Sequence, residues 1–82
     1  MYVHIGKDVI IKSDNIIAIL DIESLEKKKN LEEVLQNLKI NDKIIDVSEE
    51  NRKSLIIIQK EGKNYGYITN ISSATIGKRA SK

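Results

Sequence analysis

Cysteine, proline, phenylalanine and tryptophan are all absent from these 82 residues, and histidine occurs once. Without cysteine there is no disulfide framework, no thiolate nucleophile and no cysteine metal site, which fits a reducing compartment. His4 alone cannot form a histidine cluster and has no second ligand near it in sequence, so it reads as structural or exposed, with no metal site expected. The start of the chain, Met1-Tyr2-Val3-His4-Ile5-Gly6-Lys7-Asp8, lacks a basic region followed by a long apolar stretch, so no signal peptide is visible. The run Ile16 to Leu20 is far short of the roughly twenty residues that a bilayer span needs. A cytoplasmic protein with no membrane contact is expected.

What is present is isoleucine, paired or in runs at Ile10-Ile11, Ile16-Ile17, Ile44-Ile45 and Ile56-Ile57-Ile58. β-Branched side chains suit a pleated surface better than a helix, so these clusters favour strands. Hydrophobic residues at 40% and charged residues at 32% place the chain among globular proteins rather than disordered ones. A chain of this length buries one modest core, so residues 1–82 form a single domain.

With no proline, the glycines Gly6, Gly62, Gly66 and Gly77 and the Asn and Asp residues punctuate the chain. Tyr2 to Ile5 and Val9 to Lys12 read as a hairpin with the three-residue loop Gly6-Lys7-Asp8, and Ile16 to Ile22 extends it to a three-stranded meander. Glu23 to Lys29 is helix-compatible but lacks an apolar stripe, and is taken as a connector. Asn30 and Glu33 resemble a capping box before Leu31, Val34, Leu35 and Leu38, which share one face of a helix over about Leu31 to Lys39. Strands follow at Lys43 to Val47, at Leu55 to Lys60, which is apolar on both faces and therefore central, and at Tyr65 to Thr69 after a four-residue turn Glu61-Gly62-Lys63-Asn64. A short helix after Ser72 closes the chain, with Gly77 as its weak point. The order β-β-β-α-β-β-β-α gives an α+β class.

Net charge is only +2, but its distribution is uneven. Residues 1–51 carry seven Lys against eleven acids, a net −4, whereas residues 52–82 carry seven Lys and Arg against Glu61 alone, a net +6. A basic third of this kind suits contact with phosphate, where each neutralised charge releases counterions. The sharpest local feature is Arg52-Lys53-Ser54 at a strand entrance, which offers a guanidinium fork, a compact ammonium and a hydroxyl donor. The plainer reading is a solubilised sheet edge, with the bases paired to Glu49 or Glu50. Lys78, Arg79 and Lys82 read either as further phosphate contacts or as charge at a helix end.

Other candidates are weaker. Lys27-Lys28-Lys29 is flanked by Glu23, Glu26, Glu32 and Glu33 and reads as a solvated face. Tyr65 and Tyr67 share one side of a strand, as a stacking platform for bases or as ordinary half-buried packing. Asp21 and Asp46 end strands and could approach as a carboxylate pair, but nothing else supports a catalytic site. A phosphate-cradling glycine loop, G-x-S-x-G and His-Glu-x-x-His are all missing. The chain therefore reads as a binding protein without cofactor or small-molecule substrate, not an enzyme.

Four stretches carry a likeness: Met1-Tyr2-Val3-His4-Ile5-Gly6, Ile16-Ile17-Ala18-Ile19-Leu20-Asp21, Lys53-Ser54-Leu55-Ile56-Ile57, and Ile71-Ser72-Ser73-Ala74-Thr75-Ile76-Gly77-Lys78-Arg79-Ala80. Together they resemble the extracellular matrix regulator family, specifically its RemB-like branch. The resemblance implies a cytoplasmic bacterial protein whose RemA-like relatives bind DNA as ring-shaped homo-oligomers and activate biofilm-matrix genes. It also implies DNA-facing bases in the turn between the second and third strands and in the loop before a core strand. By position the loop corresponds to Arg52 and Lys53, and the turn holds Asp14 and Asn15 with only Lys12 nearby. The loop departs from the relatives by carrying Glu49-Glu50-Asn51 where they have more arginine. The expected function is a transcription regulator that contacts DNA through Arg52, Lys53, Ser54, Lys12, Lys78 and Arg79, multiplied in a homo-oligomer. The alternative is a protein interaction module that oligomerises through its sheet edges and acts on a protein partner. A small-ligand sensor built on Tyr65 and Tyr67 is a third reading.

Overall fold

In the computed structural model, residues 1–28, 33, 36–37 and 44–81 are described. Alternation sets the first elements. Along β1 (Tyr2–Gly6), Val3 and Ile5 point inward while Tyr2 and His4 face out. β1 pairs antiparallel with β2 (Val9–Lys12), whose Ile11 joins the same buried face. Gly6 pairs with Val9, so the loop is the two residues Lys7-Asp8 rather than the three expected. Lys7, the first loop residue, takes the positive φ (48°) that such a tight turn favours, and Gly6 just before it is at 130°.

The expected meander does not form. After a 3-10 turn at Ser13–Asn15, β3 (Ile16–Asp21) leaves the hairpin and enters a separate four-stranded sheet of order β3-β5-β6-β4, with β4 (Ile44–Asp46), β5 (Ser54–Lys60) and β6 (Lys63–Thr69). β3, β5 and β6 are antiparallel neighbours, and β4 runs parallel to β6. The turn between β5 and β6 is Glu61-Gly62 alone, both at positive φ, so β6 starts two residues before the expected Tyr65. Ile17 is an extra residue in β3 opposite β5, a bulge. It puts Ile16 and Ile19 on one face of the sheet and Ala18 and Leu20 on the other, and leaves Ile17 in solvent.

β5 is the central strand, as its run of apolar residues on both faces required. Ile56 and Ile58 face one core with Val3, Ile5, Ile11 and Ile76; Leu55 and Ile57 face a second with Ile22 and Ile68. The hairpin and α2 (Ser73–Ala80) cover the first face, and α1 (Ile22–Lys28) covers the second. The segment expected to be a connector is thus a helix. Asp21 caps it: Oδ2 accepts from the Ser24 amide (3.2 Å) and the Ser24 hydroxyl (2.8 Å). Its apolar contribution is only Ile22 and Leu25, one turn apart. The helix expected over Leu31 to Lys39 lies for the most part outside the described residues; Glu33, Gln36 and Asn37 are helical. α2 starts where expected, the Ser72 hydroxyl accepting from the Thr75 amide, and passes through Gly77 without a break. The element order and the α+β class agree with the sequence reading.

Candidate nucleic-acid interface

Arg52 and Lys53 stand at one end of the main sheet, side chains exposed, immediately before β5. The Lys53 backbone is fixed from two sides. The Lys53 amide donates to the Thr69 carbonyl at the end of β6, and the Lys53 carbonyl accepts from the Ile22 amide at the start of α1, each at 2.9 Å. Neither base pairs with Glu49 or Glu50 among the described residues; Arg52 Nη2 instead meets Glu26 Oε1 of α1 at 3.2 Å.

Asp46, at the end of β4, shapes the field here. Its Oδ1 accepts from the Ser48 hydroxyl (2.6 Å) and the Ser48 amide (2.8 Å), and these bonds hold its carboxyl below the usual carboxylate range. Partial burial opposes that shift, and the charges of Arg52 and Lys7 add to it. Lys7 reaches this end of the sheet because the hairpin tip packs there: a Cβ on Gly6 would lie 3.1 Å from the Val47 carbonyl and 3.3 Å from Thr69 Oγ1. Lys7 and Glu26 were not singled out in the sequence. Their nearness to Arg52 depends on packing between distant segments, which local spacing does not encode.

Ser54 is not available to a phosphate in the chain. It is fully buried, and its hydroxyl donates to the Ile71 carbonyl at 2.7 Å, tying β5 to the loop that leads into α2. Lys12 lies at the opposite end of the sheet from Arg52. It precedes Ile16, which pairs with Ile58, whereas Ser54 pairs with Asp21. Ser54 and Ile58 are four residues apart along β5, about 13 Å at roughly 3.3 Å per residue. Lys78 and Arg79 form a third group in the last turn of α2, beside Met1, Tyr2 and His4, where Arg79 Nη1 donates to the His4 carbonyl at 2.9 Å. One chain therefore does not gather the basic candidates on a single surface.

Lys12 lines a groove of about 730 Å³ between the hairpin and the sheet, with Tyr2, Ile10, Ile45, Tyr65 and Tyr67 on its walls. All three tyrosines of the chain meet there. Tyr65 and Tyr67 are half-buried against the first core, so packing accounts for their position on one side of β6. Asp21 and Asp46 end β3 and β4, the two opposite edges of the sheet, about three strand spacings or ~14 Å apart, so they form no carboxylate pair. Among the described residues no group of three His, Asp or Glu is placed to hold a metal, and no helix is long and apolar enough to cross a membrane.

Residues 2–80 match the RemA-like family, described as extracellular matrix regulatory protein A-like. The match covers the family as a whole and does not distinguish the RemB-like branch suggested by the sequence. No curated protein matches the chain.

Proposed function

Because the chain belongs to the extracellular matrix regulatory protein A-like family over almost its whole length, we propose that it is a regulator of matrix genes that contacts DNA phosphates through Arg52 and Lys53. The observation that carries this reading is the mounting of those two bases: exposed side chains at a strand entrance where the Lys53 backbone is held at 2.9 Å by both β6 and α1. A fixed backbone beneath exposed cations suits a phosphate contact, because little ordering entropy remains to be lost on binding. Lys7 extends the patch from the hairpin tip. Lys12, Lys78 and Arg79 are secondary contacts, and Ser54 serves the fold.

Two or three bases per chain give weak, sequence-tolerant affinity. A homo-oligomer supplies the rest, since repeating one weak site raises avidity without new contacts. The exposed apolar residues around the tyrosine-lined groove, Tyr2 at 66%, Ile10 at 59% and Ile45 at 42% exposure, support a protein contact of this kind. The same residues favour a second reading, in which the groove takes a different protein and DNA is not contacted.

Anisotropy titration of a labelled duplex at two salt concentrations separates the readings. Salt-sensitive binding that weakens when Arg52 and Lys53 are changed to Ala supports DNA contact. Absence of binding at low salt leaves the protein-partner reading. Light scattering that returns a monomer removes the assembly.

A further inference from the structure

The candidate contact is not an open cation. Glu26 Oε1 sits 3.2 Å from Arg52 Nη2, and this is the one ion pair among the described residues that joins distant segments. The other described pair, Lys27 with Glu23 at 3.5 Å, is an ordinary i,i+4 contact within α1. The placement of Glu26 follows from how the helix is attached. Asp21 caps α1, the Ile22 amide donates to the Lys53 carbonyl, and Ile22 and Leu25 bury their side chains in the second core. Three bonds and contacts of the first turn thus fix the helix against the residue that follows Arg52. Glu26, one turn beyond Ile22, is carried to the guanidinium. Glu49 and Glu50, though close in sequence, are not.

We propose that Glu26 is a built-in competitor for the Arg52 site: its carboxylate occupies the guanidinium in the free chain and must be displaced by a DNA phosphate. This rests on the reading of Arg52 as a DNA contact. Asp46 adds its field to the same guanidinium, but its own oxygen is committed to Ser48, so Glu26 is the group that exchanges. Both partners are about half exposed, at 44% and 51% for the side chains, so the pair is weak enough to open on contact. Its effect is to raise the threshold for binding. The cost recurs at every chain of an array, so only repeated contacts with a net gain at each site carry binding past that threshold.

Anisotropy titrations of full-length wild type, Glu26→Gln, Arg52→Gln and the Glu26→Gln/Arg52→Gln double variant on one duplex test the exchange, with Glu23→Gln as the charge control. Thermal melts establish that each variant is folded. Glu26→Gln is expected to tighten binding by about two- to fivefold per chain, the range of a surface ion pair, and to give no gain when Arg52 is Gln. Glu23→Gln, with the same change of charge, is expected to give a smaller effect that is unaltered by the Arg52 substitution. Equal gains from Glu26→Gln in both Arg52 backgrounds, or equal gains from Glu26→Gln and Glu23→Gln, reduce the effect to bulk charge and overturn the proposal. Binding by wild type that Glu26→Gln leaves unchanged also overturns it and leaves the DNA reading standing. No binding by wild type or Glu26→Gln at low salt overturns both.

Discussion

The hydroxyl of Thr69, at the end of β6, donates to the main-chain carbonyl of Ile5 in β1, a contact that reaches across 64 positions of the chain and sews the hairpin to the main sheet. The same oxygen accepts from the Ile71 amide at 3.2 Å, while the Thr69 carbonyl receives the Lys53 amide. One fully buried residue therefore ties together the hairpin, the lead into α2 and the backbone under the basic pair.

Thr69→Val keeps the shape and removes the hydroxyl. It leaves the Ile5 carbonyl without this donor and the Ile71 amide without its acceptor. A loss of about 1–3 kcal/mol is expected, read as a lower midpoint in urea unfolding. An unchanged midpoint would show that the hairpin is held by apolar contact alone.

Gly6→Ala places a Cβ at 3.1 Å from both the Val47 side chain and its carbonyl, at a φ of 130° that L-residues avoid. Strain of about 1–3 kcal/mol is expected. Gly62→Ala meets no atom within 4 Å and bears only the cost of its φ of 78°. Thermal melts of the two variants should therefore rank Gly6→Ala as the more damaging.

Asp46→Asn addresses pH. The carboxyl is held below the usual carboxylate range chiefly by the Ser48 hydroxyl and amide. A group whose folded pKa is depressed contributes stability above its unfolded pKa and loses it as pH falls through the folded one. Wild type should therefore exceed Asp46→Asn in melting temperature near neutral pH. The gap should close as pH drops below about 4, the unfolded value for Asp. A gap that stays constant with pH would assign the difference to something other than this ionisation.

Ser54→Ala separates structure from contact. Removing its hydroxyl leaves the Ile71 carbonyl without the donor at 2.7 Å, so stability should fall by about 1–2 kcal/mol. DNA affinity of the folded protein, measured well below the melting temperature, should not change. A clear drop in affinity would return Ser54 to the interface.

The parts of the fold that were legible in the sequence are those decided locally. β5 announced itself as central because Leu55 to Ile58 are apolar in succession, which only a strand covered on both faces can bury. Ser72 announced α2 because an N-cap acts within one turn. α1 was missed because its apolar residues number two and its cap, Asp21, also ends a strand, so the helical period had too few points to register. The departure of β3 from the hairpin was not legible, since pairing with β5 depends on residues far along the chain. The candidate site divides in the same way. The exposure of Arg52 and Lys53 followed from their place before an apolar strand. The burial of Ser54 is set by Ile71, and the carboxylate on Arg52 comes from a helix that the sequence did not reveal.

The seam between β1 and β6 also has a consequence in time. The hairpin is synthesised before β5 and α2, yet Val3, Ile5 and Ile11 share their core with Ile56, Ile58 and Ile76 of those later elements. A two-stranded hairpin is marginal by itself. At roughly 5–20 residues per second, the 64 positions between Ile5 and Thr69 correspond to about 3–13 s of synthesis. For that interval the nascent hairpin lacks its full set of buried partners, and completion of the fold waits on the last quarter of the chain.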